Sequence, residues 1–186
     1  LFTLRAINFA DRFFIERQFG LEEIGNYFFY VNLYLYPFTF FSTYIGFKEL
    51  VAFKKEFSMV VLKTKLIQAI KLSFLFGAVY SILIISFDAL NIYDFDFYKY
   101  KVLILLLLLW GIIKVIASLL SAAIGALSDQ QDLNTINIYS IILILSLGVA
   151  IFLCNTITSV VIFFILAWII RYSIYYKLLL EKNKSK

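Results

Sequence analysis

The chain has 186 residues, of which 63% are hydrophobic and 19% aromatic, and a mean hydropathy of +0.92. That apolar share is well above the roughly 45–50% of soluble globular domains, so a water-soluble surface is excluded. The formal charge of +5 would suggest nucleic acid in a soluble protein, but the basic residues gather in the connections between apolar runs, as in a membrane protein with no nucleic-acid partner.

In chain order, the first apolar stretch, Leu1 to Ile15, is short and interrupted by Arg5, Asp11 and Arg12. It reads as the end of a helix, residues 1–19, whose beginning is missing, and it lacks the basic n-region and small-residue cleavage site of a signal peptide. Five full spans follow, near 25–47, 66–87, 102–127, 134–153 and 156–175, each close to the roughly 20 residues that cross about 30 Å of hydrocarbon. They are apolar all round rather than alternating, which argues against barrel strands. The expected fold is all-α, a polytopic transmembrane bundle of about five full spans plus a partial first helix.

Pro37 lies inside the aromatic-rich first span. It removes the donor for the Leu33 carbonyl and should kink the helix or act as a hinge, with Thr39, Ser42 or Thr43 available to satisfy neighbouring groups. In 48–65, Leu50, Phe53, Phe57 and Val60 recur at helical spacing, with Lys48, Lys54, Lys55 and Glu56 on other faces. The pattern predicts an amphipathic connection in the interface, its lysines toward membrane lipid headgroups. Lys71, one to two turns inside the second span, can snorkel outward.

Lys114 stands near the middle of Val102 to Leu127, too deep for easy snorkelling. Its helical neighbours Trp110, Gly111, Ala117, Ser118 and Ser121 form the small, polar stripe of a Leu/Ile-rich helix. Two explanations stand. The stripe serves close helix packing with Lys114 paired to a carboxylate, or it lines a water-filled cavity in which the ammonium holds an anion. Asn134 and Asn137 open the next span as headgroup-depth caps or ligand contacts.

The chain carries few groups for catalysis. It has no histidine and one cysteine, Cys154, which excludes an internal disulfide and a thiolate metal cluster. Asp94 and Asp96 form a D-x-D that could chelate a divalent ion, but acidic outer loops are common and no nucleotide-binding sequence accompanies it. No G-x-S-x-G, H-E-x-x-H or Walker A sequence occurs. No enzyme activity, metal or cofactor is expected.

Counting bases near helix ends sets the orientation. Lys48, Lys54, Lys55, Lys63, Lys65, Arg171, Lys177, Lys182, Lys184 and Lys186 fall on one side, which is read as cytoplasmic together with the C-terminus. Arg17, Lys99 and Lys101 fall on the other, diluted by six acids; the connection Ser128 to Leu133, with Asp129 and Asp132 and no base, is an exception.

Asp11, Arg12 and Phe13, followed by Gly20 and then Ile24, Gly25, Asn26 and Tyr27, resemble the "D-R … G … (V/I)-G-x-Y" stretch of polysaccharide biosynthesis proteins. These are the O-antigen and lipid-linked oligosaccharide flippases of the multidrug/oligosaccharidyl-lipid/polysaccharide exporter superfamily. The resemblance extends in topology over the whole chain and implies the C-terminal lobe of a two-lobed exporter in a bacterial inner membrane. It further implies alternating access for an undecaprenyl-diphosphate-linked oligosaccharide through a cationic cavity, with Asp11, Arg12 and Lys114 as substrate-binding residues and an N-terminal lobe as partner. Without the resemblance, Asp11 and Arg12 read as a membrane-boundary ion pair. A drug exporter of the same superfamily, a membrane enzyme of glycan assembly and a noncatalytic scaffold are the alternatives.

Overall fold

The computed structural model describes residue 16 and residues 19–90 and 97–184. Over these residues it is all-α. Helix α1 (Leu21–Tyr30) passes through a π turn (Val31–Leu35) into α2 (Tyr36–Lys55); α3 (Met59–Ala89), α4 (Phe97–Leu127), α5 (Gln130–Ile151) and α6 (Ile157–Lys184) follow. Four helices are long and apolar enough to cross a membrane: Met59–Ala89, Lys99–Leu127, Gln130–Val149 and Ile157–Lys182. The protein is a membrane-compatible helical bundle. The span expected at 25–47 falls within the continuous helical run of α1, the π turn and α2, whose tyrosines, asparagines and hydroxyls make it less apolar than the other four.

Gly20 has φ of 86° just before α1. A side chain there would be strained, so glycine suits this turn between Phe19 and Leu21.

Helix α4 is central. Its Leu107 and Trp110 pack with Tyr27, Tyr30 and Tyr34 of the α1 run and with Val160, Val161 and Phe164 of α6. One turn on, its Ile112, Val115 and Leu119 enclose Phe38 of α2 and Ala69 of α3. At the far end Leu120, Ala123 and Ile124 meet Phe53, Leu62, Ile136 and Leu179. The outward faces of α3 and α5 carry exposed Phe74, Leu75, Ile82, Ile142 and Leu145, as lipid-facing surfaces do.

The amphipathic helix expected over 48–65 is divided. Helix α2 continues to Lys55, residues 56–58 are non-helical, and α3 begins at Met59. Glu56 and Ser58 both take extended backbone, which reverses the chain. The break lets Phe53 and Leu62, on either side of it, face the same core, while Val60 points outward. Glu49, buried in α2, forms an ion pair with Lys65 of α3, and the Lys65 ammonium lies 5.7 Å from the centre of the Phe53 ring.

The start of α5 also differs from expectation. Asp129 precedes the helix: its carboxylate accepts from the Asp132 N–H at 3.0 Å, and the Asp132 carboxylate accepts from the Asp129 N–H at 3.1 Å. This reciprocal pair caps the helix one turn before Asn134. Asn134 and Asn137 are both exposed. Lys182 of α6 reaches both carboxylates and ties the far end of that helix to the cap.

Candidate functional site

A lysine at mid-membrane depth is costly wherever it has no polar company. At 1.5 Å per residue, Lys114 lies about 18 Å from Val102 and about 20 Å from Leu127. It is half-buried, and its Nζ donates to Thr39 Oγ1 at 3.3 Å. Thr39 in turn donates to the Leu35 carbonyl at 3.0 Å, so the ammonium is linked to the backbone at the last residue of the π turn. The ammonium also sits 5.7 Å from the Trp110 ring centre, and Trp110 stacks on Phe164 of α6 with centroids 5.7 Å apart and planes 9° apart.

The small residues beside Lys114 serve close approach of α2. A Cβ built on Gly111 would lie 2.5 Å from Phe38 Cγ, one on Gly46 would lie 3.2 Å from Ser118 Cβ, and one on Gly125 would lie 3.3 Å from Leu50 Cδ1. Phe38 thus enters α4 at Gly111, and its other edge faces Gly77 of α3, where a Cβ would lie 3.3 Å from Cζ. Of the two explanations for the stripe, packing accounts for Gly111 and Ser118. Lys114 occupies the same seam, with the Thr39 hydroxyl among its partners.

Pro37 stands at the start of α2, immediately after the π turn. The Leu33 carbonyl is satisfied from another helix: Tyr80 of α3 donates its hydroxyl to Leu33 O at 2.7 Å. The expected helpers act elsewhere, Thr39 on Leu35 O and both Ser42 and Thr43 on Thr39 O. Aromatic contacts hold Tyr80 in place: it stacks on Phe76 at 5.8 Å and meets Tyr34 edge-on at 6.3 Å, while Phe76 meets Phe38 edge-on at 5.2 Å. A π turn and a proline side by side are the usual marks of a functional or strained break in a helix.

Asp11 and Arg12, and the D-x-D of Asp94 and Asp96, lie outside the described residues. Lys71 is exposed. Among the described residues no group of three or more His, Cys, Asp or Glu side chains could hold a metal.

Arg171 of α6 is a second cation inside the bundle that counting bases at helix ends had assigned to the membrane face. It is 7% exposed. Its Nε and Nη2 donate to Tyr175 Oη at 3.0 and 2.8 Å, and the guanidinium carbon lies 5.1 Å from the Trp168 ring centre. The signal was present in the sequence as aromatic residues three before and four after an arginine, a spacing that places all three on one helix face.

Two larger cavities lie apart from both cations. One of about 390 Å³ opens between α4 and α6 and is apolar, lined by Ile113, Ile116, Leu120 and Ile169, with Lys177 at one end. The other, of about 320 Å³, is more polar and lies at the opposite end of the bundle among Glu23, Tyr27, Lys99, Tyr100, Asn155 and Thr156. Comparison finds no protein-family model, curated protein or solved structure that matches the chain.

Proposed function

We propose that this chain is one lobe of a flippase that moves an undecaprenyl-diphosphate-linked oligosaccharide across the bacterial inner membrane by alternating access, with its C-terminus in the cytoplasm. The observation that carries the reading is Lys114, a mid-membrane ammonium 3.3 Å from Thr39 on a helical run that passes through a π turn next to Pro37. A diphosphate crossing hydrocarbon needs a cationic partner at that depth, and an intramembrane ionisable residue is a functional site by default. Alternating access also needs an element that changes shape, and π turns inside helices recur at functional sites.

In this reading Lys114 receives the diphosphate as a point charge, Arg12 adds a bidentate guanidinium, and Asp11 sets their charge balance or carries a coupling proton. The substrate is the lipid-linked oligosaccharide, the partner a second lobe, and the chemistry is transport rather than catalysis. The resemblance of Asp11 to Phe13, Gly20 and Ile24 to Tyr27 to polysaccharide flippases supports the same substrate class.

The test is surface-glycan export in cells that carry Lys114→Ala, Lys114→Arg or Arg12→Ala, with membrane abundance measured in parallel. Lys114→Ala and Arg12→Ala should abolish export at unchanged abundance, and Lys114→Arg should retain part of it. Normal export by both alanine variants would overturn the proposal.

A further inference from the structure

Arg171 has no role in the transport reading, and its surroundings do not balance its charge. The Tyr175 hydroxyl and the faces of Trp168 and Tyr175 orient the guanidinium without supplying a negative charge. Its Nη1 is buried with no acceptor, and none of the ion pairs among the described residues involves it. A buried guanidinium ordinarily keeps a counter-ion, because desolvation without one is costly.

The space next to Arg171 limits what the counter-ion can be. Two small crevices between α5 and α6 both include Arg171, Ser140 and Leu143 in their walls; one adds Phe164 and Trp168, the other Tyr139 and Tyr175. Each has about 10 Å³, room for roughly one oxygen atom. Tyr139 at the rim is 51% exposed, and Ile142 one turn along the outer face of α5 is 56% exposed, so the crevice opens toward the lipid side of the bundle.

Depth points the same way. Arg171 lies about 21 Å along α6 from Ile157 and about 9 Å before Lys177. Tyr172, Tyr175 and Tyr176 surround this level, the aromatic composition of a membrane boundary. A side chain here is within reach of the headgroup layer, where phosphate oxygens are the abundant anions.

We infer that the α5–α6 crevice is a phospholipid site in which Arg171 Nη1 donates to one phosphate oxygen of an anionic lipid whose headgroup stays outside the bundle. The inference stands independently of the transport reading. Arginine suits it because two of its nitrogens are held by Tyr175 while the third remains free to donate.

The experiment is thermal unfolding of the full chain in neutral detergent with added phosphatidylglycerol, phosphatidylcholine or inorganic phosphate. Phosphatidylglycerol should raise the wild-type midpoint by about 3–6 °C, with phosphatidylcholine giving clearly less and inorganic phosphate nothing. Arg171→Met keeps a similar volume and removes the unpaired charge, so it should fold and lose the phosphatidylglycerol increment, whereas Lys177→Ala should keep it. Equal shifts from both lipids in the wild type, or the full shift from inorganic phosphate, would overturn the lipid site without recourse to any variant. An undiminished phosphatidylglycerol shift in Arg171→Met would overturn the role of Arg171.

Discussion

Gly111→Ala adds one methyl group where α4 meets α2. The new Cβ would lie 2.5, 2.6 and 3.0 Å from Phe38 Cγ, Cδ2 and Cβ, well inside van der Waals contact. The Phe38 ring is fully buried, with Phe76 edge-on at 5.2 Å and Gly77 at its far edge, so retreat is blocked on the side away from α4. Overpacking of this kind costs about 1–3 kcal/mol. Alanine's advantage over glycine in a helix returns about 0.5–1 kcal/mol, which against a mid-range overpacking cost of about 2 kcal/mol leaves a net loss of about 1–1.5 kcal/mol. The assay is equilibrium unfolding of the purified protein in mixed micelles. Gly25→Ala is the control, because nothing lies within 4 Å of its Cβ position and it should be neutral or slightly stabilising. Phe38→Leu should relieve the clash, so the double variant should be at least about 0.5 kcal/mol better than the sum of the singles. A Gly111→Ala protein as stable as the wild type, or strict additivity with Phe38→Leu, would refute the view that the small stripe exists for packing.

Tyr80→Phe should cost about 0.6–1.7 kcal/mol, the range of a hydrogen bond inside a bilayer, by leaving the Leu33 carbonyl without its donor. Unchanged stability of Tyr80→Phe in the same unfolding assay would refute the contribution of that bond. At the α5 cap, the N–H of Asp132 and then the Lys182 ammonium hold the Asp129 carboxyl below its ordinary value of 3.8. A depressed folded value means that Asp129's contribution is complete above about 3.8 and fades as the pH falls through the lowered value. Hydrogen exchange of residues 130–133, corrected for intrinsic rate, should therefore rise on acidification below about 3.8 and respond less in Asp129→Asn. Acid-insensitive protection in the wild type would refute the cap.

The membrane embedding was legible because composition and run length report directly on burial in hydrocarbon, and four of the expected spans have apolar helices at their positions. Helix ends were less legible. The 50, 53, 57, 60 recurrence is as compatible with two helix ends meeting at a corner as with one surface helix, since periodicity carries no record of where the backbone turns extended at Glu56 and Ser58. Pro37 announced the break, but the donor that satisfies Leu33 comes from Tyr80, 47 residues away, which no local pattern specifies. Lys114 was visible because a charge in the middle of Val102 to Leu127 is too deep to snorkel and calls for a polar partner or a cavity. Arg171 was missed because a charge near the end of an apolar run is already explained by the positive-inside rule, and only the packing of α5 against α6 places it indoors.

The chemistry of the two cations suits different lifetimes of contact. Arg171 has two nitrogens on Tyr175 at 3.0 and 2.8 Å and lies 5.1 Å from the Trp168 ring centre, so the guanidinium is oriented and a ligand on its remaining nitrogen is held in one position. Lys114 is a flexible point charge with a 3.3 Å contact to a hydroxyl that is itself committed to Leu35. That contact is long for a charged donor, whereas both Arg171 contacts to Tyr175 are of ordinary length. Thr39 lies in α2 two residues past Pro37, so a change in the angle of α2 at the π turn would move it relative to Lys114. A permanently bound lipid calls for the first arrangement, and a cargo that must arrive and leave within one transport cycle calls for the second.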